Sequence, residues 1–156
     1  ERFFYRILIN YRAVVRILGR PAINNKKTMS PELDKKLCEK YPKIFINRNA
    51  PMETTAMCWG FECSDGWYDL LDNMCFCIQN HIDYKSKRGT PITQVIADQV
   101  KEKFGELRFY SSGGDDYTEG AIDLATNLST KICEECGDKG ELNGKNWIRT
   151  TCEKHK

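Results

Sequence analysis

The chain has 156 residues, 40% of them hydrophobic and 29% charged, with a net charge of +2 and eight cysteines. That length suits one ordinary domain with a core of its own, and no stretch approaches the roughly eighteen uninterrupted apolar residues that would mark a membrane span. The charge is uneven: residues 1–28 carry five Arg and two Lys against one Glu, net +6, so the remainder is net −4 and bulk charge makes no case for nucleic-acid binding by the body.

In chain order, residues 3–18 come first. Phe4, Ile7, Leu8, Tyr11, Val14, Val15 and Leu18 share one helical face, and Arg2, Arg6, Arg12, Arg16 and Arg20 share the other. Such a basic amphipathic helix has three readings: an extension foreign to the domain, a helix packed on its own body, or an anchor for a partner or a membrane surface. The Arg-interrupted start has no secretory pattern, so the expected compartment is reducing, where clustered cysteines are metal ligands or buried thiols. Residues 19–29 read as a linker, and Met29 within it as a start codon. Ser30-Pro31-Glu32 opens a short helix with an N-cap hydroxyl and Pro at N1, and Pro42 closes it. Lys43 to Asn47 reads as a short strand and Arg48 to Thr55 as loop. Asp65-Gly66 is a turn. Trp67 to about Tyr84 is the strongest helix, with Trp67, Leu70, Leu71, Met74, Ile78 and Ile82 on one stripe. Val95 to Lys101 and Leu107 to Tyr110 make a hairpin around Lys103-Phe104-Gly105-Glu106. Gly113 to Asp116 is a loop, and Thr118 to Ile132 is a second main helix.

The tail carries the most specific signal. Cys133-Glu134-Glu135-Cys136-Gly137 and Cys152-Glu153-Lys154-His155 form C-x2-C-x15-C-x2-H. Two residues between cysteines let one tight knuckle aim both sulfurs at a common point. The Cys152/His155 pair fits one helical turn. Four soft ligands close a tetrahedron with no open position, which predicts one structural zinc rather than a catalytic one. Gly140, Gly144 and the run Trp147-Ile148-Arg149-Thr150 suit a hairpin between the pairs, so a treble-clef-like module is expected. Its formal charge of about −1 is expected to be offset by Lys131, Lys139, Arg149 and Lys154.

Other clusters are weaker. Cys77 and His81 lie at i, i+4 and could share a second metal, whereas Cys75 and Cys77 point to opposite sides of a helix. Asp115 and Asp116 on a Gly-Gly loop could hold Mg²⁺ for phosphoryl chemistry, or serve as a turn and as acids at a helix start. Trp59, Phe61, Trp67 and Tyr68 form an aromatic segment that is core or a stacking surface. Asp115, Asp116, Trp59, Trp67 and Arg108 are the candidate interaction or ligand surface.

Several blocks resemble a family of small bacteriophage and prophage proteins with a C-terminal Cys3His zinc motif. They are Trp59-Gly60-Phe61, Asp65-Gly66-Trp67, Gln99 to Gly105, Leu107 to Tyr110, Gly113 to Asp116, and the tail through Trp147, Thr150, Cys152 and His155. The likeness runs from about Met29 to the end. It implies a phage origin and the cytoplasm of an infected host cell, and it supplies no activity.

The expected architecture is a small α+β domain: a basic extension (1–28), a body with a short hairpin and two main helices (29–132), and a zinc module (133–156). The expected function is non-enzymatic: binding a host or phage macromolecule in host takeover or counter-defence. The alternatives are a nucleic-acid- or nucleotide-binding module using the aromatic segment with Lys101, Lys103 and Arg108, and a metal-dependent nuclease-like enzyme using the Gly-Gly-Asp-Asp loop.

Overall fold

The computed structural model describes residues 27–156, and the helix predicted over residues 3–18 lies outside them. The described chain is α+β. Three α-helices, α1 (Pro31–Lys40), α2 (Tyr68–Lys87) and α3 (Asp116–Ser129), accompany a three-stranded sheet of β1 (Phe61–Glu62), β2 (Ile96–Lys103) and β3 (Glu106–Ser112). A separate hairpin of β4 (Glu141–Asn143) and β5 (Arg149–Thr151) stands near the C-terminus. Among the described residues no helix is long and apolar enough to cross a membrane.

The stripe read along α2 is the one that is buried. Leu71, Met74, Ile78 and Ile82 face the core, and Leu70 packs against it. Cys75 is buried and Cys77 exposed, as their angular separation requires. Each fully buried large aliphatic on this face contributes about 1.5–3 kcal/mol of hydrophobic free energy. The sheet supplies Val100, Leu107 and Phe109 from its inner face, alternating with outward polar residues. β2 and β3 pair antiparallel, with Lys101 opposite Arg108 and a bulge between Ala97 and Gln99.

The β2–β3 turn is two residues long. Phe104 and Gly105 have φ of +57° and +79°, positive at both central positions as a type I′ turn requires. For a phenylalanine that conformation costs about 1–2 kcal/mol.

Three expectations are corrected. Residues 43–47 form no strand. Ile44 and Phe45 both donate backbone N–H groups to Tyr41 O, and Arg48 N–H donates to Phe45 O, so this stretch is a series of helical turns. A strand would point Ile44 and Phe45 to opposite faces, but here both are buried, and the Phe45 ring meets Phe61 edge-on at 4.9 Å. The Ser30 hydroxyl does not cap α1; the Ser30 N–H donates to Asp65 Oδ1 at 2.7 Å and ties the start of α1 to the Asp65 turn. The sheet also has a third strand: β1 adds to β2 in parallel, with Phe61 opposite Val100.

Candidate metal centre

The knuckle that carries Cys133 and Cys136 is built by backbone. Gly137 N–H donates to Cys133 O at 2.9 Å and closes the turn, and Gly137 has φ +78°, which favours glycine there. Cys133 N–H donates to Asp138 O at 2.7 Å. The other pair sits after β5, where His155 N–H donates to Cys152 O at 3.0 Å in the 3₁₀ turn Glu153–His155. This is a single 3₁₀ turn, not the terminal helix expected of a treble clef.

These segments bring four donor atoms together. Cys133, Cys136, Cys152 and His155 offer one atom each, all within 4.8 Å of one another, and could hold one metal ion. Cys136 Sγ lies 3.7 Å from Cys152 Sγ, and His155 Nδ1 lies 3.5 Å from Cys133 Sγ and 3.2 Å from Cys152 Sγ. The imidazole therefore presents Nδ1 to the cluster.

The cluster favours negative charge on Cys133 and disfavours it on Cys136. Burial opposes ionisation of Cys133, but N–H groups of Cys152, Cys136 and Glu135 aimed at its sulfur outweigh it and bring its pKa down to about 6. At Cys136 the Asp138 N–H pulls down, yet burial and the neighbouring sulfurs of Cys133 and Cys152 prevail and push the thiol up to about 11. Sulfurs this close share charge poorly without a cation between them.

The knuckle is bolted to the body. Glu134, between the two cysteines, is buried at 2% exposure. Its carboxylate accepts from Ser64 N–H (3.0 Å), Ser64 Oγ–H (3.2 Å) and Arg149 (3.0 Å). Its carbonyl accepts from Gly66 N–H at 2.8 Å, and its own N–H donates to Thr150 O at 3.0 Å. Arg149 also pairs with Glu135, which pairs with Lys27. The guanidinium expected to offset the metal cluster is thus engaged by these acids. Gly66 sits directly on the knuckle: a Cβ there would overlap Cys133 O and lie 2.5 Å from Gly137 N and 2.6 Å from Cys136 N. On the other side, Thr150 Oγ–H donates to Gly105 O at 2.6 Å, fixing the β4–β5 hairpin to the β2–β3 turn.

The remaining candidates are scattered. Trp67 is not surface: it is fully buried, and its indole N–H donates to Ile132 O at 2.9 Å, just before the first cysteine. Trp59 is 45% exposed and lines a cleft of about 720 Å³ with Asp34, Arg48 and Phe45. Arg108 pairs with Glu106 at 2.7 Å along its own strand. Asp115 and Asp116 are separated in role. Asp115 caps α3 in a reciprocal box with Thr118 and bonds His81 Nε2 at 2.9 Å, while Asp116 is an exposed first-turn residue. The His81 bond lowers Asp115's pKa more than burial raises it, and the Thr118 N–H adds to the lowering, so its carboxyl is held below its ordinary value. His81 stacks on Tyr117 at 4.1 Å. Among the described residues, the C-terminal cluster is the sole group of three or more metal-binding side chains. A site on Cys77 with His81, or on the Asp115-Asp116 pair, gains no third ligand.

Ser64, Glu134 and Gly66 support the cluster through contacts that have no local signature in the sequence. Comparison with protein-family models, curated proteins and solved structures finds no match to this chain.

Proposed function

We propose that this is a zinc-stabilised, non-enzymatic binding protein of phage origin, acting on a host or phage macromolecule in the cytoplasm of the infected cell. The observation that carries the zinc assignment is the donor set. Zn–S bonds of about 2.3 Å and Zn–N bonds of about 2.0–2.1 Å give a tetrahedron with S···S edges of about 3.8 Å and S···N edges of about 3.6 Å. The 3.7 Å and 3.5 Å separations at Cys136–Cys152 and Cys133–His155 suit those edges, while Cys152–His155 at 3.2 Å is shorter and the donor atoms spread to within 4.8 Å, so an ion would draw the set into a regular tetrahedron. Three thiolates and an imidazole favour zinc over hard cations. Four protein ligands leave no place for substrate or activated water, which supports a structural metal. The knuckle and the β4–β5 hairpin support a treble-clef-like reading, with the 3₁₀ turn Glu153–His155 in place of the terminal helix.

The bonds of Glu134, Gly66 and Thr150 support a role in the whole fold, because zinc would hold the hairpin against both the Asp65 turn and the β2–β3 turn. The phage origin rests on the sequence blocks from Trp59 to His155. A coding position outside any phage or prophage gene cluster would overturn that part. For the activity, zinc-loaded protein is incubated with DNA, RNA and nucleotides, with and without Mg²⁺ or Mn²⁺. The proposal expects no turnover, and expects chelation to abolish partner binding by unfolding the module. Metal-dependent turnover that Asp115→Asn and Asp116→Asn together remove would establish the nuclease-like reading instead.

A further inference from the structure

We propose that the outer face of β2–β3, continued through Phe104 to the β4–β5 tip at Trp147, is a binding surface for single-stranded nucleic acid. This rests on the reading of the chain as a binding protein and names its partner class.

Asn-Gly is the favoured pair where both central φ angles are positive. The chain places phenylalanine at that position in the left-handed conformation, and its ring is 64% exposed. The disfavoured backbone gains no core packing, so its use is outward. Lys103 Nζ stands 5.4 Å from the centre of that ring. The motif repeats one step along the face: Tyr110 is 47% exposed, with Lys101 Nζ 5.2 Å from its ring centre. The neighbouring hairpin adds a further exposed ring, Trp147 at 72% exposure, with Lys145 two residues before it in the chain.

The two hairpins touch at Gly105. Gly105 packs so closely on Leu142 that an added Cβ would overlap it, and the Thr150–Gly105 hydrogen bond closes the same junction. Lys101 stands opposite Arg108 on this face, Arg108 held by Glu106 at 2.7 Å and Lys101 bonded to Gln99 at 2.8 Å, so the cations are set among partners on the outer side of the sheet. Aromatic rings alternating with ammonium groups match the two halves of a single strand, bases that stack and phosphates that need cations. A purely apolar protein partner would leave the lysines uncompensated. A duplex would hide its base faces from the rings.

The test uses zinc-loaded full chain and fluorescein-labelled oligo-dT and oligo-U, read by anisotropy. Three phosphate contacts, through Lys101, Lys103 and Lys145, give a log–log salt slope of about −2 for a single strand, so affinity should fall roughly 20-fold between about 50 and 200 mM salt. Trp147→Ala should weaken binding roughly five-fold or more, the effect of one stacked base. Phe104→Asn separates folding from binding. It relieves the turn, so the melting temperature should hold or rise, while affinity falls by a similar factor. Lys101→Ala with Lys103→Ala should flatten the salt slope. Absence of salt-dependent binding would overturn the proposal, as would equal affinity of wild type, Phe104→Asn and the double lysine variant. Either result leaves the non-enzymatic reading standing. Cleavage of the oligonucleotide would overturn that reading, and the variants would still decide the surface.

Discussion

Gly66→Ala probes the junction between body and metal cluster with one methyl group. The added Cβ meets backbone on three sides: Cys133 O, Gly137 N at 2.5 Å and Cys136 N at 2.6 Å. None of these can rotate away, because Cys133, Glu134 and Gly137 are held by the hydrogen bonds that shape the knuckle. Relief requires the knuckle to slide off the Asp65 turn, breaking the Gly66 N–H to Glu134 O bond and loosening both bonds from Ser64 to the Glu134 carboxylate. Overpacking a tight site typically costs 1–3 kcal/mol. The backbone contacts place this case near the upper end, about 3 kcal/mol. For a chain of this size, about 2–4 °C per kcal/mol converts that to a fall in melting temperature of about 6–12 °C. Displaced thiolates should also bind metal more weakly. Thermal unfolding followed by circular dichroism gives the first quantity and chelator competition gives the second. A variant within about 1 °C of wild type, with unchanged zinc retention, would refute the claim that the body clamps the knuckle.

Gly120→Ala is the control in the opposite direction. Gly120 lies inside α3 with nothing within 4 Å of an added Cβ, so the variant should gain about 0.5–1 kcal/mol in urea unfolding. Glu134→Gln keeps the shape but removes the charge that Ser64 and Arg149 serve, and should lose about 1.5–3 kcal/mol by the same assay. Asp115 has a folded pKa below its ordinary value of 3.8, chiefly through its bond to His81. Its contribution is therefore complete above about pH 4 and is lost as pH falls through the folded value. Asp115→Asn should flatten that part of the acid limb in unfolding free energy measured against pH, and an unchanged limb would remove Asp115 from the account.

What was legible in the sequence follows the range of the forces involved. The Cys3His cluster could be read because its spacings, two residues within each pair, are local geometry. The α2 stripe could be read because one helix face meets one core. The β2–β3 hairpin followed from alternation around Phe104-Gly105. The rest depends on partners far along the chain. Glu134 looks like a surface acid in Cys-Glu-Glu-Cys; only Ser64, seventy positions away, makes it a buried anchor. Trp67 belongs to an aromatic run that suits stacking as well as packing, and Ile132 O decides for packing. Pro42 and the paired burial of Ile44 and Phe45 turned an apparent strand into helical turns. β1 has two residues, too few to carry a period. Asp115 was recognised as an acid at a helix start, but its bond to His81 joins two helices and has no local signature.

Cys133, Cys136, Cys152 and His155 are proposed to hold one zinc ion. Native mass spectrometry of the purified chain, paired with elemental analysis, tests it most directly. Wild type should carry one zinc per chain, and Cys133→Ser and Cys152→Ser should each lose it together with order in the C-terminal hairpin. Full zinc retention by both variants, or wild type refolded in zinc that carries no metal, would contradict it.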